Sequence, residues 1–357
     1  MFAKIAVLGL GRVGQLAAEL LAGAGFEVTG IDLRAIGSAP FPTRTADLAD
    51  DAATLEALSG QEAALSCLPY ALNNAVASAA HALDLHYFDL TEDVRTTKYV
   101  RALAATAKGI MAPQCGLAPG FIGIVGAHLA DQFERVRSIR LRVGALPQHP
   151  TGMLGYAFNW SPEGVVNEYL NDCEVIEEGV LKTISAMEWI ETVYVGGVRL
   201  EAFTTSGGLG TMCETFAGKI DNLDYKTLRY PGHVALMNFF FHDLLMREDR
   251  VAAGRILTNA KPPVDDDVVY VHAAAEGWSE GRLNRKEFVR AYYPLEIAGR
   301  ARTAIAWTTA ASAVAVIEMA RSGALPAPGF LKQESIPLEP FLKTSTARLF
   351  GERRRER

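Results

Sequence analysis

Short apolar runs and amphipathic stretches alternate along the first third of the chain. Ile5-Ala6-Val7-Leu8 reads as a buried strand, Val13 to Ala22 as a helix, and Glu27-Val28-Thr29-Gly30-Ile31 as a second strand. The alternation continues through a helical Leu55 to Leu58, a strand-like Ala63 to Leu68, a helical Leu72 to Leu83 and a strand at His86 to Leu90. A further helix, Val100 to Lys108, leads to Gly109-Ile110-Met111-Ala112. Strands separated by helices need crossover connections, which give a parallel sheet with helices on both faces. Residues 1–118 are therefore expected to form a doubly wound Rossmann domain of the α/β class.

The pattern changes after Gly116-Leu117-Ala118-Pro119-Gly120. Ser138 to Val143 alternates polar and apolar residues, the pattern of a strand with one solvated face. Val193-Tyr194-Val195 and Val198-Arg199-Leu200 flank Gly196-Gly197, a two-residue hairpin signal because both glycines accept a positive φ. Ser161-Pro162-Glu163 supplies a cap, a first-turn proline and an acid at the positive end of a helix running toward Leu170. Residues 119–300 are expected to form an inserted α+β domain. The segment 301–357 is expected to contain a C-terminal helix, Thr303 to Met319, returning to the first domain, followed by a solvated Arg-rich end at Glu352 to Arg357.

Composition narrows the function classes. A chain of 357 residues with 49% hydrophobic and 21% charged positions supports two cored domains. A net charge of -6 argues against nucleic-acid and anionic-membrane partners, which need a concentrated positive field. The four cysteines, Cys67, Cys115, Cys173 and Cys213, form no CxxC pair, so reduced thiols in a cytoplasm are expected. No secretory signal is read at the N-terminus, and Ala301 to Ala320 is interrupted by Arg302 and Glu318, as a buried helix rather than a membrane span would be. Seven scattered histidines without an HxH or HExxH pattern predict no metal site, and no GxSxG elbow is present.

The strongest chemical signal is Gly9-Leu10-Gly11-Arg12-Val13-Gly14, which follows the first strand and opens the first helix. In that context the glycines allow a tight turn, close approach of a pyrophosphate, and close helix–strand packing, while the helix N-terminus offers amides to the phosphates. Asp32-Leu33-Arg34 ends the second strand: Asp32 accepts ribose hydroxyls and favours NAD, and Arg34 admits NADP. Asp47-Leu48 is placed at the adenine edge or at an ordinary helix cap. Cys67-Leu68-Pro69-Tyr70 ends the strand bordering the cofactor cleft, with Tyr70 either facing substrate or packing. Asp89, at another strand end, is the first candidate for handling the proton on a substrate nitrogen, with Glu92 and Asp93 as alternatives and a helix cap as the plain reading. Arg229 could clamp a carboxylate, His233 is either a ligand or a structural histidine, and Thr205-Ser206-Gly207-Gly208 offers hydroxyls and amides to a carboxylate.

Taken in order, Gly9 to Gly14, Leu68-Pro69-Tyr70, Gly116 to Gly120, Trp160-Ser161-Pro162-Glu163-Gly164, Thr205 to Gly208 and Leu228-Arg229-Tyr230-Pro231-Gly232-His233 resemble the saccharopine dehydrogenase family, in its saccharopine reductase and lysine 6-dehydrogenase branch. The resemblance covers most of the chain. It implies a nicotinamide domain, a substrate domain that also makes a homodimer, and redox chemistry at a carbon bearing an amino nitrogen of a small amino-acid or opine-like substrate. It further implies that Pro69-Tyr70 and Thr205-Ser206-Gly207 border the substrate, and that Asp89 and Trp160 lie beside the nicotinamide. The lysine 6-dehydrogenase pattern has Gly-Gly-His after the aspartate, where this chain has Leu90-Thr91-Glu92-Asp93, and it lacks Trp-Ser-Pro. A non-catalytic dinucleotide-binding protein, a redox sensor or assembly subunit, is the other class compatible with the fold.

Overall fold

The computed structural model describes residues 2–351; the Arg-rich end at 352–357 lies outside the described residues. The chain divides into two compact units. One joins the chain up to Phe121 with the chain from Ala306 onward, and the other is the continuous stretch Ile122–Ile305.

The first unit alternates strand and helix: β1 (Lys4–Leu8), α1 (Arg12–Gly23), β2 (Glu27–Asp32), β3 (Thr43–Thr45), α2 (Asp51–Leu58), β4 (Ala63–Ser66), α3 (Tyr70–Ala82), β5 (His86–Asp89), α4 (Val94–Ala104) and β6 (Ile110–Ala112). All six strands pair in parallel, in the order β6-β5-β4-β1-β2-β3. The order reverses between β1 and β4, which is where open α/β sheets carry their ligands. Strand residues are buried on both sides, so β1 and β4 read as unbroken apolar runs instead of alternating ones. Their core with α2, α3 and α4 includes Leu8, Ile31, Leu58, Val76, Tyr87 and Val100.

The second unit begins within α5 (Phe121–Ala130) and continues through β7 (Arg135–Pro147), α6 (Pro162–Leu170), β8 (Cys173–Glu177), β9 (Val180–Ile184), β10 (Glu191–Val195), β11 (Val198–Thr204), α7 (Met212–Phe216), β12 (Asn222–Arg229), α8 (His233–Asn238), α9 (Arg250–Ala260), β13 (Asp267–Ser279), β14 (Arg282–Tyr292), β15 (Leu295–Ile297) and β16 (Arg300–Arg302). Its mixed sheet runs β10-β11-β12-β7-β13-β14, with β8 and β9 branching from β12. The hairpin signal is realised: Val195 pairs with Val198, and Gly196 and Gly197 have φ of 57° and 81°. The helix signal at Ser161 is realised too, its hydroxyl accepting from the Gly164 amide at 3.0 Å.

The solvated face expected for Ser138 to Val143 is not what forms. Arg140 is exposed, but Arg142 is buried. Its Nε meets Glu191 Oε1 and its Nη1 meets Asp224 Oδ1, each at 2.5 Å, while Lys226 Nζ lies 3.1 Å from Glu191 Oε2. Acids on β12, beside it, and on β10, further across the sheet, convert a solvent-type pattern into a charge network around a buried arginine.

From β13 the Asp267 carboxylate accepts from the Ala304 and Ile305 amides at 2.6 and 2.9 Å, capping α10 (Ala304–Arg321). The rest of that helix belongs to the first unit, where Arg321 reaches the Ala24 carbonyl at 2.8 Å and lies over the Phe26 ring. There β17 (Gly329–Phe330) adds a parallel edge beside β6, and Phe341 in α11 (Leu338–Leu342) and Phe350 pack on Phe121.

Removing one member of a buried ion pair strands its partners, at a cost of about 3–5 kcal/mol. Arg142→Ala should lower unfolding free energy by that order in a denaturant titration, whereas Arg140→Ala should change it little.

Candidate functional site

In the first unit the glycine corner is shaped by contact. Gly9 has φ 86°, and a Cβ there would come within 2.9 Å of Leu68 Cδ2. A Cβ on Gly14 would fall 1.8 Å from the Gly9 carbonyl oxygen, so only glycine allows α1 to pack on the turn. A Cβ on Gly11 would meet nothing within 4 Å. The corner is thus tight on its protein side and open at its middle glycine, and α1 starts without any side-chain cap. By contrast, Asp50, Asp93, Ser161 and Asp249 cap α2, α4, α6 and α9 from their own N-cap positions. The N-terminus of α1, opening after Gly11 in the segment Arg12-Val13, fits a pyrophosphate.

Beside this corner, Asp32 Oδ2 accepts from the Leu10 amide at 2.7 Å and Oδ1 from the Arg34 amide at 3.0 Å. Leu33 and Arg34 are exposed. Asp47 is exposed and accepts from the Ala49 amide, and the cap of α2 falls to Asp50. Leu48, expected at the adenine edge, buries its side chain in the core with Ala57 and Leu58. Cys67 is partly buried, and burial, with the Asp89 carboxylate adding to it, pushes its thiol up to about 12. Exposed Pro69 precedes α3, and Tyr70 opens it, partly buried.

At the end of β5, Asp89 is fully buried. Its Oδ1 accepts from the Thr91 and Gln114 amides, both at 2.9 Å, and its Oδ2 accepts from Tyr87 Oη at 2.7 Å. Burial pushes its carboxyl up to about 6 against the pull of those three donors. The helix cap is Asp93, which accepts from the Thr96 amide. Between them Glu92 is only partly buried, and its carboxyl is pushed up to about 7, by burial first and then by the Asp93 and Asp89 carboxylates.

The second unit brings Arg229 and His233 together through Tyr169, a residue not singled out in the sequence. Arg229 is buried. Its Nε donates to Tyr169 Oη at 2.7 Å, and its Nη1 donates to Thr227 Oγ1 at 2.6 Å and to the Leu228 carbonyl at 2.8 Å. The guanidinium lies over the Tyr156 ring at 4.6 Å. His233 is buried between the Leu154 carbonyl, 3.0 Å from Nδ1, and Tyr169 Oη, 3.0 Å from Nε2. Burial, reinforced by the Arg229 charge, holds its imidazole down at about 3, so it is neutral. A carbonyl only accepts, so Nδ1 carries the hydrogen and Tyr169 donates to Nε2.

Thr205 is buried, with an unpartnered hydroxyl, whereas Ser206 donates to the Asp172 carbonyl. Gly207 has φ 85°, and a Cβ at Gly208 would overlap the Tyr225 ring. Trp160 packs, partly buried, against the core of this unit. Glu201 also went unread in the sequence; its carboxylate accepts from the Gly232 and Val234 amides and seats the Pro231-Gly232-His233 turn. Tyr169 had one available signal, its place on the buried face of α6 with Val165 and Val166. Among the described residues no cluster of three or more His, Cys, Asp or Glu could hold a metal ion, and no helix is long and apolar enough to cross a membrane.

Comparison with known families matches residues 5–112 to the saccharopine dehydrogenase NADP binding domain and residues 116–349 to the saccharopine dehydrogenase C-terminal domain. A curated protein, saccharopine dehydrogenase (NADP(+), L-glutamate-forming) of Schizosaccharomyces pombe, is 27% identical over 159 residues, 41% of this chain and 34% of that protein. The match therefore spans about a third of that relative's length. Apo saccharopine dehydrogenase (L-Glu forming) from Saccharomyces cerevisiae shares the fold over 96% of each chain, with a TM-score of 0.76 and 17% identity. DAP dehydrogenase of C. glutamicum in complex with DAP aligns over 98% of each chain, with a TM-score of 0.52 and 12% identity.

Two outcomes are expected. Gly11→Ala should fold normally but lose dinucleotide affinity by about tenfold or more in a fluorescence titration, while Gly14→Ala should melt well below the parent protein. For His233, the folded chain keeps the imidazole neutral down to about pH 3 and the unfolded chain protonates it near 6.5. Its contribution to stability is thus present above pH 6.5 and lost as pH falls from 6.5 to 3, and His233→Gln should remove about one proton from the slope of unfolding free energy in that window.

Proposed function

Because the chain belongs to the saccharopine dehydrogenase family, we propose that it is an NAD(P)-dependent oxidoreductase acting at the CH–NH or CH–NH2 carbon of a basic amino acid or an opine-like secondary amine. The observation that carries the cofactor half is the open Gly11 between two glycines that nothing larger could replace. A bound nicotinamide dinucleotide supplies the acceptor or donor of hydride. NADP takes precedence over the NAD preference argued from Asp32. The matched domain is an NADP binding one, and the Asp32 oxygens already accept from the Leu10 and Arg34 amides, leaving the exposed Arg34 side chain to meet a 2′-phosphate.

In the oxidative direction the substrate C–H leaves as hydride with its electron pair, the nitrogen loses a proton, and water then releases the amine from the C=N product. We assign the proton to Glu92 and a positioning role to Asp89. Glu92 is partly exposed and titrates near neutral pH, the range in which a general base works best, whereas the Asp89 oxygens are occupied in joining the turn after β5 to the exit of β6. In the second unit Arg229 is assigned to a substrate carboxylate. Of the buried cations described there, Arg142 and Lys226 are neutralised by Glu191 and Asp224. Arg199 and Lys219, the other cationic candidates, are exposed. This supports a substrate that presents one carboxylate to this unit.

The test is reduced-nicotinamide formation with NADP or NAD against lysine, ornithine, diamines and saccharopine. Turnover of one amine class is the expected result. Cofactor binding with no turnover across the panel, in either direction, would replace this reading with the non-catalytic one. Glu92→Gln should lower turnover by about 10²-fold or more. Asp89→Asn should stay folded, since Oδ1 can still accept both amides and Nδ2 can donate to Tyr87, and should retain most activity. The opposite ranking of the two variants would return the proton to Asp89.

A further inference from the structure

Arg229 offers a carboxylate less than a whole fork. Nε and Nη1 are engaged by Tyr169, Thr227 and the Leu228 carbonyl, and among the described residues no acceptor is hydrogen-bonded to Nη2. Which nitrogen is left over depends on the direction of hydrogen bonds two residues away. The Leu154 carbonyl requires a hydrogen on His233 Nδ1; Nε2 is then bare and takes the Tyr169 hydrogen; the Tyr169 oxygen is then free to accept from Arg229 Nε. The imidazole lies among three rings: Tyr156 and Tyr169 meet it edge-on at centroid separations of 5.2 and 5.8 Å, and Phe203 lies near-parallel to it at 6.2 Å.

We propose that Tyr169 is a positioning and specificity residue for the amino-acid substrate: oriented by neutral His233, it fixes the Arg229 guanidinium so that Nη2 alone addresses the substrate carboxylate. The inference rests on the reading of Arg229 as a carboxylate anchor. Neither Tyr169 nor His233 exchanges a proton in this scheme. A single addressed nitrogen suits one oxygen of an α-carboxylate in a defined rotation and disfavours the symmetric bidentate clasp that an unrestrained arginine makes. Tyr169→Phe keeps the ring in its contacts with Phe203 and Phe241 and removes only the hydroxyl. It leaves Arg229 Nε without an acceptor and the guanidinium held only through Nη1, by Thr227 and the Leu228 carbonyl.

The experiment reads the relay and its consequence separately in the full chain. With labelled histidine and arginine, NMR of the parent protein should show His233 as the Nδ1–H tautomer and a slowly exchanging Arg229 Nε–H, and Tyr169→Phe should lose that protection. In steady-state kinetics Tyr169→Phe should raise KM for the amino-acid substrate about tenfold or more, with kcat and KM for the dinucleotide little changed, and a melting temperature that falls while the variant stays folded. His233→Phe should give the same split to a smaller degree. An Nε2–H tautomer, an Arg229 signal indifferent to Tyr169→Phe, or an unchanged amino-acid KM would overturn the proposal. A parent protein that shows the NMR signature but turns over no amino acid would overturn the proposed function and leave the positioning of Arg229 by Tyr169 standing.

Discussion

A charge removed from water has to be met by oxygen atoms or aromatic faces at every donor, and the sheet of the second unit is arranged around that requirement. Arg142, Lys226 and Arg229 all project from its central strands β7 and β12, and all are buried. The first two are matched by carboxylates from β10 and β12, which makes their network neutral and structural. Arg229 is held differently: its hydrogen bonds go to a phenol, a hydroxyl and a carbonyl, it lies over two aromatic rings, and the buried Glu168 carboxylate acts on it through its charge. One sheet therefore holds two cations in direct ion pairs and a third whose hydrogen-bond partners are all neutral groups.

The first unit presents a helix N-terminus that no side chain caps. Its leading helix begins at a glycine whose missing side chain would have entered empty space, and no side chain caps it. Around that gap the packing is at its tightest, with Gly14 against the Gly9 carbonyl and Asp32 drawn onto Leu10. The rigidity of the corner holds the amides of the helix N-terminus in a fixed array. Preorganised donors of this kind bind an anion without first having to be ordered.

How much of this could be read in advance divides along physical lines. The doubly wound sheet, the glycine corner, the Gly196-Gly197 hairpin and the Ser161 cap rest on local rules, so periodicity and turn chemistry reveal them. Arg142 misleads because a cation at an alternating position looks solvated until Glu191 and Asp224, 49 and 82 residues further on, are placed against it. Tyr169 and Glu201 escape for the same reason: a tyrosine on the inner face of α6 and an acid in β11 acquire their roles only when the sheet brings Arg229 and the Gly232 turn beside them. Leu48 shows the converse, where adjacency to a motif residue suggested a ligand contact and core packing took the side chain instead.

The chain leaves the first unit at Phe121 and re-enters it at Ala306. Phe121 itself waits for Phe341 and Phe350, and β6 waits for β17, all supplied by the last stretch of sequence. A ribosome working from the N-terminus therefore releases the half that carries the glycine corner first but completes it last, after the whole of the contiguous unit has emerged. During synthesis the nucleotide-type sheet exists with an open flank for about 200 residues, and a chain stopped anywhere short of Phe350 leaves that flank without its cover.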